Sequence, residues 1–110
     1  MRTRTIASFT MSLLCLALSH TAQAQGAEGA QALYTKSLAA TCANCHGTNG
    51  KVTPGSSVPA LAGLDQNYIV AQMNAFKSGT RPATVMHQLS KGYNDTQIAS
   101  LAAYFAAQKK

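Results

Sequence analysis

Tryptophan is missing altogether from these 110 residues, acidic side chains number three against nine Lys and Arg, and proline and cysteine stand at three each. Each shortage closes a class of answer. Three cysteines cannot build the disulfide framework on which small secreted scaffolds depend. No apolar run reaches the roughly 18 residues of a spanning helix. Yet 46% of the residues are hydrophobic, too many for a disordered chain. The length allows one small domain and leaves no room for a multidomain enzyme. The basic residues are scattered singly, without the Lys/Arg stripe and interleaved aromatics of a nucleic-acid groove, so no nucleic-acid partner is expected.

What is present begins with a leader. Arg2 and Arg4 precede an apolar segment from Ile6 to Leu18, and the small-residue site Ala22-Gln23-Ala24 follows. That layout predicts a secretory signal over residues 1–24, cleaved after Ala24. The apolar segment is shorter than the roughly 17–25 residues that cross a bilayer, so it is not read as an anchor. Cys15 leaves with it, and the bulky Leu14 before Cys15 argues against lipoprotein processing. The mature chain, residues 25–110, is then one periplasmic domain without a transmembrane segment. It is still basic, and it keeps only two of the three phenylalanines. So small a chain with so few large apolar side chains makes a thin core, and something else should fill it.

The apolar spacing predicts an all-α chain. Tyr34, Leu38, Cys42 and Cys45 fall on one face of a helix over 28–45. Residues 47–63, rich in Gly, Ser and Pro, read as a loop that Pro54 and Pro59 keep irregular. Asp65 can cap a helix over 67–77 with an Ile69, Met73, Phe76 stripe, and Gly79 can close it. Beyond the break at Pro82, Val85 and Leu89 at i, i+4 suggest a short helical turn that ends at Gly92. Asn94 and Gln97 have the spacing of a capping box before Ile98, Leu101, Ala102 and Phe105, with Lys109 and Lys110 suited to the C-terminal dipole. No strand-like alternation appears.

Chemistry concentrates in Cys42-Ala43-Asn44-Cys45-His46. Two thiols three positions apart at a helix end can project to one side and bond both vinyl groups of one porphyrin. The next residue, His46, is then delivered beneath the ring to ligate iron. Cys-x-x-Cys-His therefore reads as covalent attachment of one haem c, and a large flat cofactor would also supply the missing core. Three other readings compete with it. A thioredoxin-like dithiol would sit in a βαβ setting. Zinc needs four ligands, and the chain offers Cys42, Cys45, His46 and the distant His87. A plain disulfide across so short a ring would constrain little of the unfolded chain.

For the sixth iron position, Met73, His87, Met86 and an open site compete. Met73 lies on the Ile69 stripe, where methionine ordinarily fills core space. Met86 lies off the Val85/Leu89 stripe and far enough along the chain to reach the opposite haem face, so it is the favoured ligand. His/Met ligation raises the reduction potential relative to bis-His and leaves no vacancy for substrate, which suits electron transfer over catalysis.

Taken with CANCHGTNG at 42–50, the Pro59 before Ala-Leu-Ala, FKSG at 76–79, TVMHQLSKGYND at 84–95 and LAAYFAAQ at 101–108, the chain resembles a class I cytochrome c. Within that family it is similar to the small cytochrome subunit of flavocytochrome c sulfide dehydrogenase. The resemblance implies a small class I cytochrome c fold, helices wrapped around one covalently attached haem. It implies thioethers at Cys42 and Cys45, iron ligation by His46 and Met86, and a Pro59 carbonyl that accepts from the His46 ring. It also implies a first helix packed across the last, with Tyr104 and Phe105 near the crossing. The implied partners are an FAD-containing sulfide dehydrogenase flavoprotein subunit and other redox carriers. Some family members carry two haem modules, whereas one Cys-x-x-Cys-His holds a single haem, so no haem-to-haem transfer is expected within this chain. A free soluble carrier of the same fold is the competing function, and an open-site ligand-binding haem protein a third.

Overall fold

The computed structural model describes residues 26–110. The expected leader, with its cut after Ala24 and with Cys15, lies outside the described residues. The chain divides into Met1–Leu33 and Tyr34–Lys110. Of the first unit, the described residues 26–33 are helical and exposed. The second carries everything that follows, and among the described residues there is no strand.

Helix α1 occupies residues 34–46 of that unit. A short 3-10 turn, Thr48–Gly50, follows it, then an irregular loop to Asp65. Helix α2 is Gln66–Ser78, the brief α3 is Met86–Leu89 with a 3-10 turn over Ser90–Gly92, and α4 is Asp95–Ala106. Local chemistry sets the boundaries. Asp65 accepts the Tyr68 N–H at 2.9 Å, which satisfies one of the free donors at the start of α2. Gly79, at φ 80, donates its N–H to the Phe76 carbonyl and ends the helix. At α4 the capping box is complete: Asn94 accepts from Gln97 N–H, and the Gln97 side chain accepts from Asn94 N–H, both at 2.9 Å.

The core is thin, as the composition predicts. Its buried apolar residues are Ala39, Ala62, Ile69, Ile98, Leu101, Ala102 and Phe105, three of them alanine. Ala39 of α1 joins Ile69 of α2 and Leu101, Ala102 and Phe105 of α4 in one cluster. Small residues at 39 and 102 let the first and last helices of the unit approach closely. Tyr104 packs edge to face on Phe105, centroids 5.2 Å apart, and its hydroxyl donates to Asn49 at 2.7 Å. Gln97 donates to the Tyr34 hydroxyl at 2.7 Å, a second tie between α1 and α4. Lys77 donates to the Tyr93 carbonyl at 2.9 Å and pairs with Asp95 at 3.3 Å, which fastens the end of α2 to the start of α4.

Two stripes differ from the sequence reading. On α1 the expected Leu38 and Cys42 pack against the core cluster, but the buried positions are Ala39 and His46, while Tyr34 is exposed and works through its hydroxyl. The expected helical turn forms as α3, but its Val85/Leu89 pair faces outward: each is 52% exposed, and the inward positions are the half-buried Met86 and the fully buried Ser90 one turn later.

Candidate functional site

The C-terminal end of α1 brings three of the expected residues together. Cys42 is half-buried against the core cluster, Cys45 is exposed, and His46 is buried. The two cysteines are unbridged. Burial pushes the Cys42 thiol above its ordinary pKa, while hydrogen bonding with Thr41 works in the other direction. Thr41 is itself held, donating to the Leu38 carbonyl at 2.6 Å and bonded to the Tyr93 hydroxyl at 2.9 Å.

His46 Nδ1 lies 2.8 Å from the Pro59 carbonyl oxygen. A proline carbonyl can only accept, so Nδ1 carries a proton, and in the neutral ring Nε2 keeps its lone pair. The ring is thereby fixed both in orientation and in the tautomer that a metal requires.

The turn after His46 makes that contact possible. Gly47 has φ 75, and a Cβ there would run into the Lys51 carbonyl. Asn49 sits at φ 56 and accepts from Tyr104. Gly50, at φ 77, is buried, and its carbonyl accepts from Leu61 N–H at 2.8 Å and Ala62 N–H at 3.1 Å. Those two bonds fold the loop back so that Pro59, two residues earlier, reaches His46. The Asn49–Tyr104 bond is a site feature that spacing did not single out; its signal is the Asn-Gly pair between two turns.

Met86 stands on a separate segment, half-buried at the start of α3, which packs on α2. Met73 packs against the core cluster. His87 is half-buried, and its Nδ1 is buried without a hydrogen-bond partner among the described residues.

The competing readings of the cysteine pair find no support in this geometry. Among the described residues no group of three or more His, Cys, Asp and Glu gathers to hold a metal ion. Nor is there a strand among those residues to make a thioredoxin-like turn. Covalent porphyrin fits better on the structure's own terms. Two unbridged thiols and a histidine with a free Nε2 share one helix end. Three of the seven buried apolar residues are alanine, so an extended apolar group held at this helix end would add the buried surface that the side chains do not supply, at about 25 cal/mol per Å².

Known proteins agree. The family model described as Cytochrome c matches residues 26–109. Cytochrome c4 of Pseudomonas aeruginosa is 40% identical over 97 residues, covering 88% of this chain and 46% of that protein. The cytochrome subunit of sulfide dehydrogenase of Chlorobaculum tepidum is 38% identical over 73 residues, covering 66% of this chain and 64% of that one. A solved structure of cytochrome c4 from Acidithiobacillus ferrooxidans superposes with a TM-score of 0.56 at 36% identity, covering 60% of this chain and 38% of that one. The chain thus spans about half the length of its cytochrome c4 relative and two thirds or less of the others. With helices alone in the described fold and the Cys-x-x-Cys-His run at the end of α1, the chain belongs to the cytochrome c family, class I electron-transfer proteins that carry covalently bound haem c.

Proposed function

We propose that residues 25–110, freed of their leader in the periplasm, carry one haem c and serve as the electron-accepting subunit of a flavocytochrome c sulfide dehydrogenase. The observation that carries the haem site is the 2.8 Å contact between His46 Nδ1 and the Pro59 carbonyl, beside two unbridged thiols. Cys42 and Cys45 would hold the cofactor by thioethers, and His46 and Met86 would ligate its iron. Bound there, haem c supplies a one-electron iron couple. The chain's own residues set the terms of that couple. The Pro59 carbonyl, accepting from Nδ1–H, makes the His46 ring a better donor. The Met86 thioether, a soft ligand, favours the reduced metal and so a higher potential than a second histidine would give.

No dinucleotide-binding glycine motif occurs in the sequence, so sulfide chemistry is assigned to an FAD-containing partner that passes electrons on singly. Likeness to the Chlorobaculum tepidum subunit supports this reading. No helix among the described residues is long and apolar enough to cross a membrane. The test is to mix the holoprotein with a purified FAD-containing sulfide dehydrogenase subunit. A complex that survives size exclusion at high salt, with sulfide-dependent reduction of the haem, is the expected result. Absence of any complex would overturn it.

Likeness to cytochrome c4, whose name attaches it to no dehydrogenase, favours a second reading as a free soluble carrier. Ionic strength separates the two, since transient docking of a shuttle slows steeply with salt.

A further inference from the structure

Met86 stands on an arm, residues 82–92, suspended between two anchors. At the first, Arg81 N–H donates to the Ala75 carbonyl at 3.1 Å, and the guanidinium carbon lies 4.6 Å from the Phe76 ring centroid, with Nη1 donating to Gln72 Oε1. That end is fastened to α2. At the second, Tyr93 follows the 3-10 turn Ser90–Gly92 and donates its N–H to the Ser90 carbonyl at 3.3 Å. Tyr93 is half-buried against the core cluster, and its carbonyl accepts from Lys77. Its hydroxyl reaches a third element, bonding Thr41 of α1 at 2.9 Å.

The direction of that bond follows from counting protons. Thr41 has one hydroxyl proton, and it goes to the Leu38 carbonyl at 2.6 Å. The Thr41 oxygen therefore accepts, and the Tyr93 phenol donates. Neither the turn nor the core packing requires that hydroxyl, since backbone groups close the turn and a phenyl ring would fill the same space. What it adds is a fixed span between α1, at the residue before Cys42, and the far end of the Met86 arm. Little slack lies between. Leu89 and Ser90 keep helical φ/ψ across the junction, so α3 and the 3-10 turn run on without a break from Met86 to Gly92. A thioether is held to iron by one bond, and its place there depends on how firmly the surrounding chain keeps it in reach.

We propose that Tyr93, donating to Thr41, is a positioning residue that keeps Met86 on the iron by locking the end of its arm to the helix that bears Cys42 and Cys45. This rests on the reading of Met86 as the sixth ligand of a covalently attached haem.

The experiment is imidazole titration of the oxidised holoprotein, followed by its visible spectrum. Added imidazole binds only those molecules whose methionine is off the iron, so its apparent affinity reports that fraction. Deleting one solvent-exposed hydrogen bond from the closed arm should raise the affinity about 2- to 5-fold in Tyr93→Phe. Thr41→Val should do the same, and the double variant should match Tyr93→Phe because both changes remove one bond. Thr41→Ser, which keeps the acceptor, should stay at the wild-type value. Tyr104→Phe removes a tyrosine bond on the histidine side and should leave imidazole affinity unchanged, which separates positioning from general loosening.

Should Tyr93→Phe fail to fold, Thr41→Val tests the same bond from the other side. Wild-type affinity in the folded variants, alongside a large rise in Met86→Ala, overturns the role of Tyr93 and leaves Met86 as the ligand. Wild-type affinity in Met86→Ala overturns the ligand itself, and the proposal with it. An equal rise in Tyr104→Phe also overturns it, because any lost bond would then free the methionine.

Discussion

The two chain segments that carry the proposed axial ligands are built to different standards. Around His46 the polypeptide fixes nearly everything itself. The ring bonds Pro59, the Gly50 carbonyl holds Leu61 and Ala62, and Asn49 is bonded to Tyr104 of α4. Around Met86 it fixes little. Helix α3 is four residues long, its start at Val85 has no side-chain cap, and Val85 and Leu89 face solvent. Nδ1 of His87 and Oγ of Ser90 are buried without hydrogen-bond partners among the described residues. The chain alone thus specifies a rigid histidine side, whereas the methionine side is left for the cofactor to complete. A bond from iron to Met86 and apolar cover over α3 would supply what the sequence there does not.

Removing attachment breaks the comparison outright and has the largest expected effect. Cys42→Ser with Cys45→Ser should yield material without covalent haem and with most of its far-UV helical signal lost, because the core holds few large side chains. Retention of native circular dichroism in the colourless double variant would show that the polypeptide does not need the cofactor as filling.

Within the holoprotein, the histidine side should be the costly one to disturb. Gly47→Ala forces a Cβ onto a left-handed backbone and into the Lys51 carbonyl. It should lower unfolding free energy by about 2–4 kcal/mol in denaturant titrations. Met86→Ala should reverse the pattern. As the proposed sixth ligand it controls the metal more than the fold. The variant's reduced form should bind carbon monoxide and its potential should fall, with a stability loss smaller than that of Gly47→Ala. If carbon monoxide binding stays absent in Met86→Ala, then Met73→Ala and His87→Ala identify the true ligand by the same assay.

The same asymmetry explains what was legible in the sequence. Where structure follows from neighbours in the chain, residue pattern found it. The Asn94/Gln97 capping box, the Asp65 cap and the inward face Ile98, Leu101, Ala102 and Phe105 of α4 are all local, and all are present. The His46–Pro59 contact came through the family resemblance, since nothing in the spacing of residues 46 and 59 announces a hydrogen bond. On α1 the expected Leu38 and Cys42 do pack on the core cluster, whereas Tyr34 was read as core because a tyrosine looks like core. The close crossing with α4 instead demands a small residue, Ala39, and Tyr34 serves at the rim with its hydroxyl on Gln97. On α3, two apolar residues in four were too few to say which face is inward. Arg81 over Phe76 with Gln72 was invisible to periodicity, being a contact across the α2 terminus.

Ser90 gives the smallest effect and the finest test of the contrast, because its sign is informative. Its hydroxyl is wholly buried and has no partner among the described residues. Burying a hydroxyl unsatisfied costs roughly 1–3 kcal/mol, and exchanging it for hydrogen at unchanged shape relieves that cost while losing little packing. Ser90→Ala in the holoprotein should therefore be neutral or up to about 1 kcal/mol more stable, with spectrum and potential unaltered. On the histidine side, removing a polar group has the opposite sign: Tyr104→Phe deletes the 2.7 Å bond to Asn49 and should cost about 0.5–1 kcal/mol, the exposed amide then being hydrated. Were Ser90→Ala instead to destabilise by more than 1 kcal/mol and shift the potential, the hydroxyl would have an acceptor on the bound cofactor. The methionine side would then be as closely specified as the histidine side, with the cofactor itself as the missing half of the network.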